Sequence, residues 1–396
     1  MAGPDTVIIG AGIAGLTCAA AMLQAGIPCR LFEQASDLNV LGAGIQLSPN
    51  AVRLLHNLGM GLDLAREAVA VQALRFMRWS DDTPLATLPL GEHGQVAFGA
   101  PYYAMHRVDL HRVLRAQLPE GILHLGTACT SIKEGADRVR VAFDGGPDVE
   151  ADVVVGADGI HSAVRTALAG DAPHYTGHVI YRGLVDAVQL PEHFREPLVR
   201  LWLGPGGHVV AYPVSAGRQL YFGAIAEMPT WAAPEWTTVA DRAVVEEMYK
   251  GWSGTVRQLI EAADEITCWS LHDRPQLPSW PGRRVTLAGD AAHSMLPFMA
   301  QAANQAIEDA IVLAASLSAD HSGAHATSLR RYEQLRQPRV DRVHQLSKAN
   351  AGAFHLDDGL EQQARDLTFG ALWTAENFHW LYGYDATRLA SWRTMT

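Results

Sequence analysis

The chain has 396 residues, 48% of them hydrophobic and 18% charged, with a net charge of −11. That length can enclose two or three domain cores, and the acidic balance, with no dense Lys/Arg cluster, argues against nucleic-acid binding. No apolar run reaches the roughly 18 residues of a membrane span, and the start lacks the plan of a signal peptide, so a cytoplasmic protein is expected.

The first element, Val7-Ile8-Ile9, reads as a buried strand and runs directly into Gly10-x-Gly12-x-x-Gly15. Gly10 permits a tight turn, Gly12 lets backbone N–H groups approach a pyrophosphate, and Gly15 lets the following helix pack close to the strand. A second strand, 29–32, ends at Glu33, where a carboxylate can accept hydrogen bonds from ribose hydroxyls. Ala14 inside the turn and Gln34 beside Glu33 join these as nucleotide-binding candidates. Glu33 also argues against a 2′-phosphate, because two anions would repel. The next segment, "LGAGIQLSPNAVRLLHNLGM", breaks the strand–helix alternation early, which hints at FAD rather than NAD.

Cys18, Cys29, Cys129 and Cys268 are scattered, without C-x-x-C or metal-ligand spacing, and are expected to be free. Residues 151–165, "ADVVVGADGIHSAVR", read as a buried strand ending in an Asp158-Gly159 turn. Between 179 and 226 the runs "VIYRGLVDA", "PLVRLWLG", "HVVAYPV" and "RQLYFGAIA" are separated by Gly/Pro turns, the mark of an antiparallel meander. There His208, Val210 and Tyr212 fall on one strand face by the period of two, so an imidazole and a phenol point the same way. Later, "RVTLAGDAAHSMLPFMAQAANQAIEDA" is a strand, an elbow of small residues and a helix beginning near Asn304. H-x-x-x-H occurs at His174/His178 and His321/His325 but without the glutamate of H-E-x-x-H, and no G-x-S-x-G or P-loop occurs, so neither a metal site nor a serine hydrolase is expected.

Gly10-x-Gly12-x-x-Gly15, "ADGIHSAVR" and "AGDAAHSMLPF", in this order, resemble the single-component FAD-dependent aromatic hydroxylases. "YYAMHRVDLHRVL" (102–114) and "HWLYGYDA" (379–386) are similar to the salicylate, 3-hydroxybenzoate and 6-hydroxynicotinate hydroxylase branch. The resemblance implies an α/β fold like para-hydroxybenzoate hydroxylase. A discontinuous Rossmann-like FAD-binding domain (1–70, 101–170, 271–345) would carry an inserted antiparallel substrate domain (71–100, 171–270) and a C-terminal helical segment (346–396). It implies NAD(P)H, bound transiently, and O2 as co-substrates, and attack on a small phenolic or hydroxypyridine substrate, carboxylated by default, through a flavin C4a-hydroperoxide. A homodimer is common in similar proteins.

By the same resemblance, Gly289 and Asp290 would meet the FAD ribityl chain and Arg107 the pyrophosphate region, with Arg112 a weaker candidate. Asp158 and Gly159 would lie where FAD and the nicotinamide meet. Pro297, Ala302, Ala303 and Asn304 would close around the flavin ring, the helix N-terminus supporting a reduced-flavin anion. His208 would be the base, Tyr212 a substrate-binding phenol and Gln301 a donor to the substrate, with Gln46 and Tyr103 as further pocket residues. His161 and His293 read as capping or surface groups. One departure stands out: the family's glycines around the glutamine are here Ala300, Ala302 and Ala303, and alanine tolerates positive φ poorly. Of the rivals, a halogenase of the same fold would need a W-x-W-x-I-P segment, which this chain lacks; a flavin oxidase, a ring-opening oxygenase and a non-catalytic flavin-binding protein stay open.

Overall fold

Thr6–Ile9 is a fully buried strand, paired in parallel with Cys29–Phe32 on one side and Val153–Gly156 on the other. A strand covered on both faces is mostly apolar, which is why Val7-Ile8-Ile9 and Val153-Val154-Val155 read as continuous runs rather than alternations. Val285–Leu287 and Leu123–His124 complete a five-stranded parallel sheet in the order 285–287, 153–156, 6–9, 29–32, 123–124. The chain leaves 6–9 toward one edge and returns to 153–156 on the other side. The carboxyl ends of these two strands therefore frame the crevice where such sheets bind ligands. In this computed structural model residues 3–38, 43–233, 235–280, 282–319, 323 and 325–388 are described.

An eight-stranded sheet stands beside the first, in the order 237–239, 266–273, 174–186, 219–227, 207–214, 198–204, 73–78, 84–89. Its neighbours are antiparallel except 198–204 with 73–78, where the chain crosses back. Gly207–Val214 lies inside this sheet, so its side chains are covered on both faces. Two three-stranded antiparallel sheets, 44–47/103–106/69–70 and 149–151/139–143/129–134, complete the strands among the described residues.

Helix Ile13–Gln24 is buried along most of its length and packs against helix Ala302–Ser318. Small residues make this closeness possible: a Cβ on Gly15 would stand 1.8 Å from the Gly10 carbonyl oxygen, and one on Gly289 2.8 Å from Ala14 Cβ. Helix Ala302–Ser318 is clamped to the long helix His325–Phe354 by a fully buried ion network. Arg336 Nε meets Asp309 Oδ1 at 2.8 Å, Arg336 Nη1 meets Glu308 Oε2 at 2.5 Å, and Arg339 Nε meets Glu308 Oε2 at 2.7 Å. His293 Nε2 completes it, 2.5 Å from Asp309 Oδ2. His293 is therefore buried and hydrogen-bonded to Asp309, not a surface or capping group; its spacing gave no sign of a partner 16 residues on. His161 is exposed, its ring against Trp236. Among the described residues no helix is long and apolar enough to cross a membrane.

Candidate active site

The glycine turn after Thr6–Ile9 is fixed by sterics. Gly10 has φ +97, and a Cβ there would lie 2.5 Å from the Ala157 carbonyl oxygen, so only glycine fits. Gly12 differs: a Cβ would meet nothing within 4 Å, so its backbone faces open space where a ligand can approach. Glu33 accepts from Ala11 N at 2.7 Å and Ala35 N at 2.9 Å, which aims its carboxylate at the same turn; Gln34 beside it is exposed. The second turn is organised by Asp158, which accepts from Ala163 N and Val164 N at the start of helix Ala163–Ala169 and from Ser162 Oγ. Arg165, wholly buried, reaches from this helix to the carbonyls of Ala291 and Ala292 and to Asp171, tying the Asp158 turn to the Asp290 turn. Arg165's part as a buried tie between the two motifs depends on tertiary contacts that its sequence context does not show.

A cleft of about 390 Å³ opens from Gly12 and Ala14 across Gly159, Arg107 and Asp290. Asp290 faces Arg107 and His293. Burial raises its carboxyl pKa, and those two groups pull against the rise. The cleft continues past Pro297 and Ala300 to Ala303, at the start of helix Ala302–Ser318, two residues earlier than the sequence pattern suggested. Here the departure noted above is resolved in part. Ala300 does adopt the left-handed conformation, φ 50 and ψ 38, while Gln301 to Ala303 take ordinary dihedrals. A left-handed alanine costs about 1–2 kcal/mol, and glycine gives back about 0.4–1 kcal/mol through its freer unfolded chain. Ala300→Gly should therefore raise the melting temperature of the protein slightly; a fall would show that no strain is held there.

Several candidates lie near the cleft without lining it. Asn304 is fully buried and its amide is spent on the loops: Oδ1 accepts from Ser48 N at 2.9 Å, and Nδ2 donates to Ala300 O at 2.7 Å and Gln46 O at 3.1 Å. Its side chain braces the elbow and does not line the cleft. Gln301 does line the cleft, but one N–H goes to Ser48 Oγ at 2.9 Å and its carbonyl accepts from Gln305 at 3.2 Å. One N–H remains to give. Tyr103 is turned away from the cleft and its neighbour Tyr102 faces in, its hydroxyl donating to Gln46 Oε1 at 2.7 Å; the reading was one residue out on an alternating strand. Arg112, exposed, pairs with Asp109 and Glu67 instead.

The far wall of the cleft is the eight-stranded sheet. His208, Val210 and Tyr212 share its inward face, as the period of two requires. His208 is 3% exposed, with Phe298 and Phe354 edge-on to its ring. Its Nδ1 lies 2.8 Å from His355 Nε2, which leaves Nε2 for the cleft. Burial, then His355 and His178 nearby, push its pKa well below 6.5, so the ring is neutral at ordinary pH. Tyr212 is buried and its phenol is held well above the usual range, hence always protonated; Gln46 is its partner. Arg182, from strand His174–Asp186, also lines the cleft. Its guanidinium sits 4.7 Å above the Trp269 ring, its Nε is buried without a hydrogen-bond partner, and no carboxylate pairs with it among the described residues. Arg182 and His355 were missed from the sequence, where each sits in a segment read only for its backbone pattern.

The geometry fits FAD: a glycine turn with room at Gly12, an arginine and an aspartate along the cleft, and a helix N-terminus at its end. Comparison with known proteins agrees. A family described as FAD binding domain matches residues 4–347. The chain is 45% identical to a 3-amino-4-hydroxybenzoate 2-monooxygenase of Streptomyces platensis, over 98% of both proteins. It is 34% identical to a 6-hydroxynicotinate 3-monooxygenase of Bordetella bronchiseptica, covering 96% of this chain and 95% of that one. Among solved structures, a salicylate hydroxylase substrate complex superposes with a TM-score of 0.85 at 26% identity, covering 98% of each chain. The chain belongs to this FAD-binding-domain family and is a flavoprotein aromatic hydroxylase.

Proposed function

We propose that the substrate is a hydroxylated benzoate, with 3-amino-4-hydroxybenzoate the first compound to test, and that it binds between the elbow 297–303 and the strand Gly207–Val214. The observation that carries this is the pairing, in one cleft, of a buried neutral imidazole, His208, with an unpaired guanidinium, Arg182. The relatives named for amino- and hydroxybenzoates support it. In this reading the parallel-sheet unit holds the cofactor and the eight-stranded sheet holds the substrate. Bound in the cleft, FAD supplies the redox chemistry by which NAD(P)H and O2 deliver one oxygen atom to the ring.

The chain's own residues do the rest. An electrophilic oxygen transfer needs an electron-rich ring, and loss of the ring hydroxyl's proton to His208 Nε2 provides one. Tyr212 and the spare N–H of Gln301 orient the ring, Arg182 takes the carboxylate, and the aromatic wall excludes water. Arg182→Met should raise KM for a carboxylated substrate by about 10–100-fold, the worth of a charged hydrogen bond, and change kcat less. The test compares 3-amino-4-hydroxybenzoate with 2-aminophenol. The wild type should prefer the acid and Arg182→Met should lose that preference. A wild type indifferent to the carboxylate would overturn the assignment, and NAD(P)H consumption that yields only H2O2 with every ring compound would favour an oxidase.

A further inference from the structure

Beyond His208, on the same face of the sheet that lines the cleft, three side chains from distant parts of the chain converge. His178 comes from strand His174–Asp186 and Glu227 ends strand Gln219–Glu227, and the two residues pair directly across the sheet. His355 follows the last residue of the long helix His325–Phe354, its carbonyl held by Gly206 N at 3.1 Å. One donor atom of each lies within 4.8 Å of the other two.

Each histidine keeps one ring nitrogen outside its hydrogen bond. His178 Nδ1 is 3.0 Å from the Thr176 carbonyl, so it carries the proton and Nε2 keeps its lone pair, the backbone-held arrangement common for metal-ligating histidines. His355 is 8% exposed, with Nε2 taken by His208; its Nδ1 is buried and has no hydrogen-bond partner. Such an orphan is uncommon. Glu227 is exposed and contributes charge at the solvent side.

We propose that His178, Glu227 and His355 form a site for a divalent transition metal of the zinc class, and that its occupancy restrains the catalytic base. Two imidazoles and a carboxylate, with a fourth position open to water, suit zinc and its neighbours rather than magnesium or calcium. The coupling runs through one hydrogen bond and rests on His208 being the base. For His208 to present a lone pair to the cleft, its proton must sit on Nδ1 and be donated to His355 Nε2. A metal on His355 Nδ1 moves that ring's single proton to Nε2, which then donates to His208 Nδ1. The remaining His208 proton shifts to Nε2, facing the cleft, where it blocks uptake of the substrate's proton. Two protons are shared by the two rings before and after; none is lost.

The test uses the FAD-loaded enzyme and Zn2+ itself, with binding read by competition against a chromophoric chelator and activity as the ratio of rates with and without Zn2+ in the same protein. One Zn2+ per chain should bind and slow hydroxylation. His178→Ala and Glu227→Gln should weaken binding at least about tenfold and relieve the slowing in parallel. His208→Ala should still bind Zn2+. No stoichiometric binding, or binding unchanged in His178→Ala, overturns the site; loss of binding in His208→Ala places the ion in the cleft instead and overturns it as well. Binding without slowing overturns the coupling. The binding measurement needs no substrate, so full activity in metal-free His208→Ala would remove the base assignment while the Zn2+ stoichiometry stood or fell alone.

Discussion

Replacing His208 with alanine should leave FAD content near that of the wild type and lower hydroxylation by about 10²–10⁴-fold, the usual worth of a positioned proton acceptor. The ring lies against Phe298 and Phe354 on the sheet wall, across the cleft from the glycine turn, so its loss removes nothing from the Gly12 and Asp290 end. Because burial and the neighbouring histidines depress its pKa, the acid limb of kcat/KM should fall below pH 6.5 rather than at it. Above that limb His208 is neutral and competent; below it the ring is protonated and activity is lost. The same shift makes protonation unfavourable to the fold, so stability also declines as pH drops below 6.5. Comparable hydroxylation by His208→Ala and the wild type would remove this residue from the chemistry.

The second large effect is structural. Arg336→Met leaves Glu308 and Asp309 without their main cation at a wholly buried position, and should destabilise the protein by about 3–5 kcal/mol, read by denaturant unfolding. Helix Ala302–Ser318 carries both acids and opens at the flavin elbow, so FAD retention should fall as well. Against the cost of burial, His293 and Arg336 hold Asp309 at about 2. A carboxylate so depressed contributes stability above its unfolded pKa near 4, and loses it as pH falls toward 2. The gap between wild type and variant should therefore narrow over that interval. A constant gap would show that the loss is one of packing rather than charge.

The cofactor half was legible because its constraints act locally. A Cβ at Gly15 would collide with the Gly10 carbonyl five residues back, so those two glycines must appear at fixed spacing. The shared face of His208 and Tyr212 followed from strand period alone. What escaped depends on partners brought together by the fold. The segment holding Arg336, "RRYEQLRQPRV", is strongly polar, yet Arg336 is buried because two acids from another helix meet it. His355 gains meaning only where a helix end reaches the sheet, and Arg182 only because, among the described residues, no acid comes to it. The sheet spanning 129–151 was not anticipated: Cys129–Glu134 is half-exposed throughout, without the apolar alternation that marks a strand. Tyr102 and Tyr103 show the limit of pattern reading, since adjacent tyrosines give no clue which faces inward.

In the proposed reaction this cleft hydroxylates a carboxylated aromatic ring with FAD, His208 and Arg182. The most direct test measures NAD(P)H consumed, H2O2 released and hydroxylated product formed by the FAD-loaded enzyme with 3-amino-4-hydroxybenzoate, 3-hydroxybenzoate, salicylate and 6-hydroxynicotinate. One benzoate should accelerate NAD(P)H oxidation strongly, with about one product per nicotinamide and little H2O2. A uniform slow rate across the series, with peroxide as the only product, would contradict it.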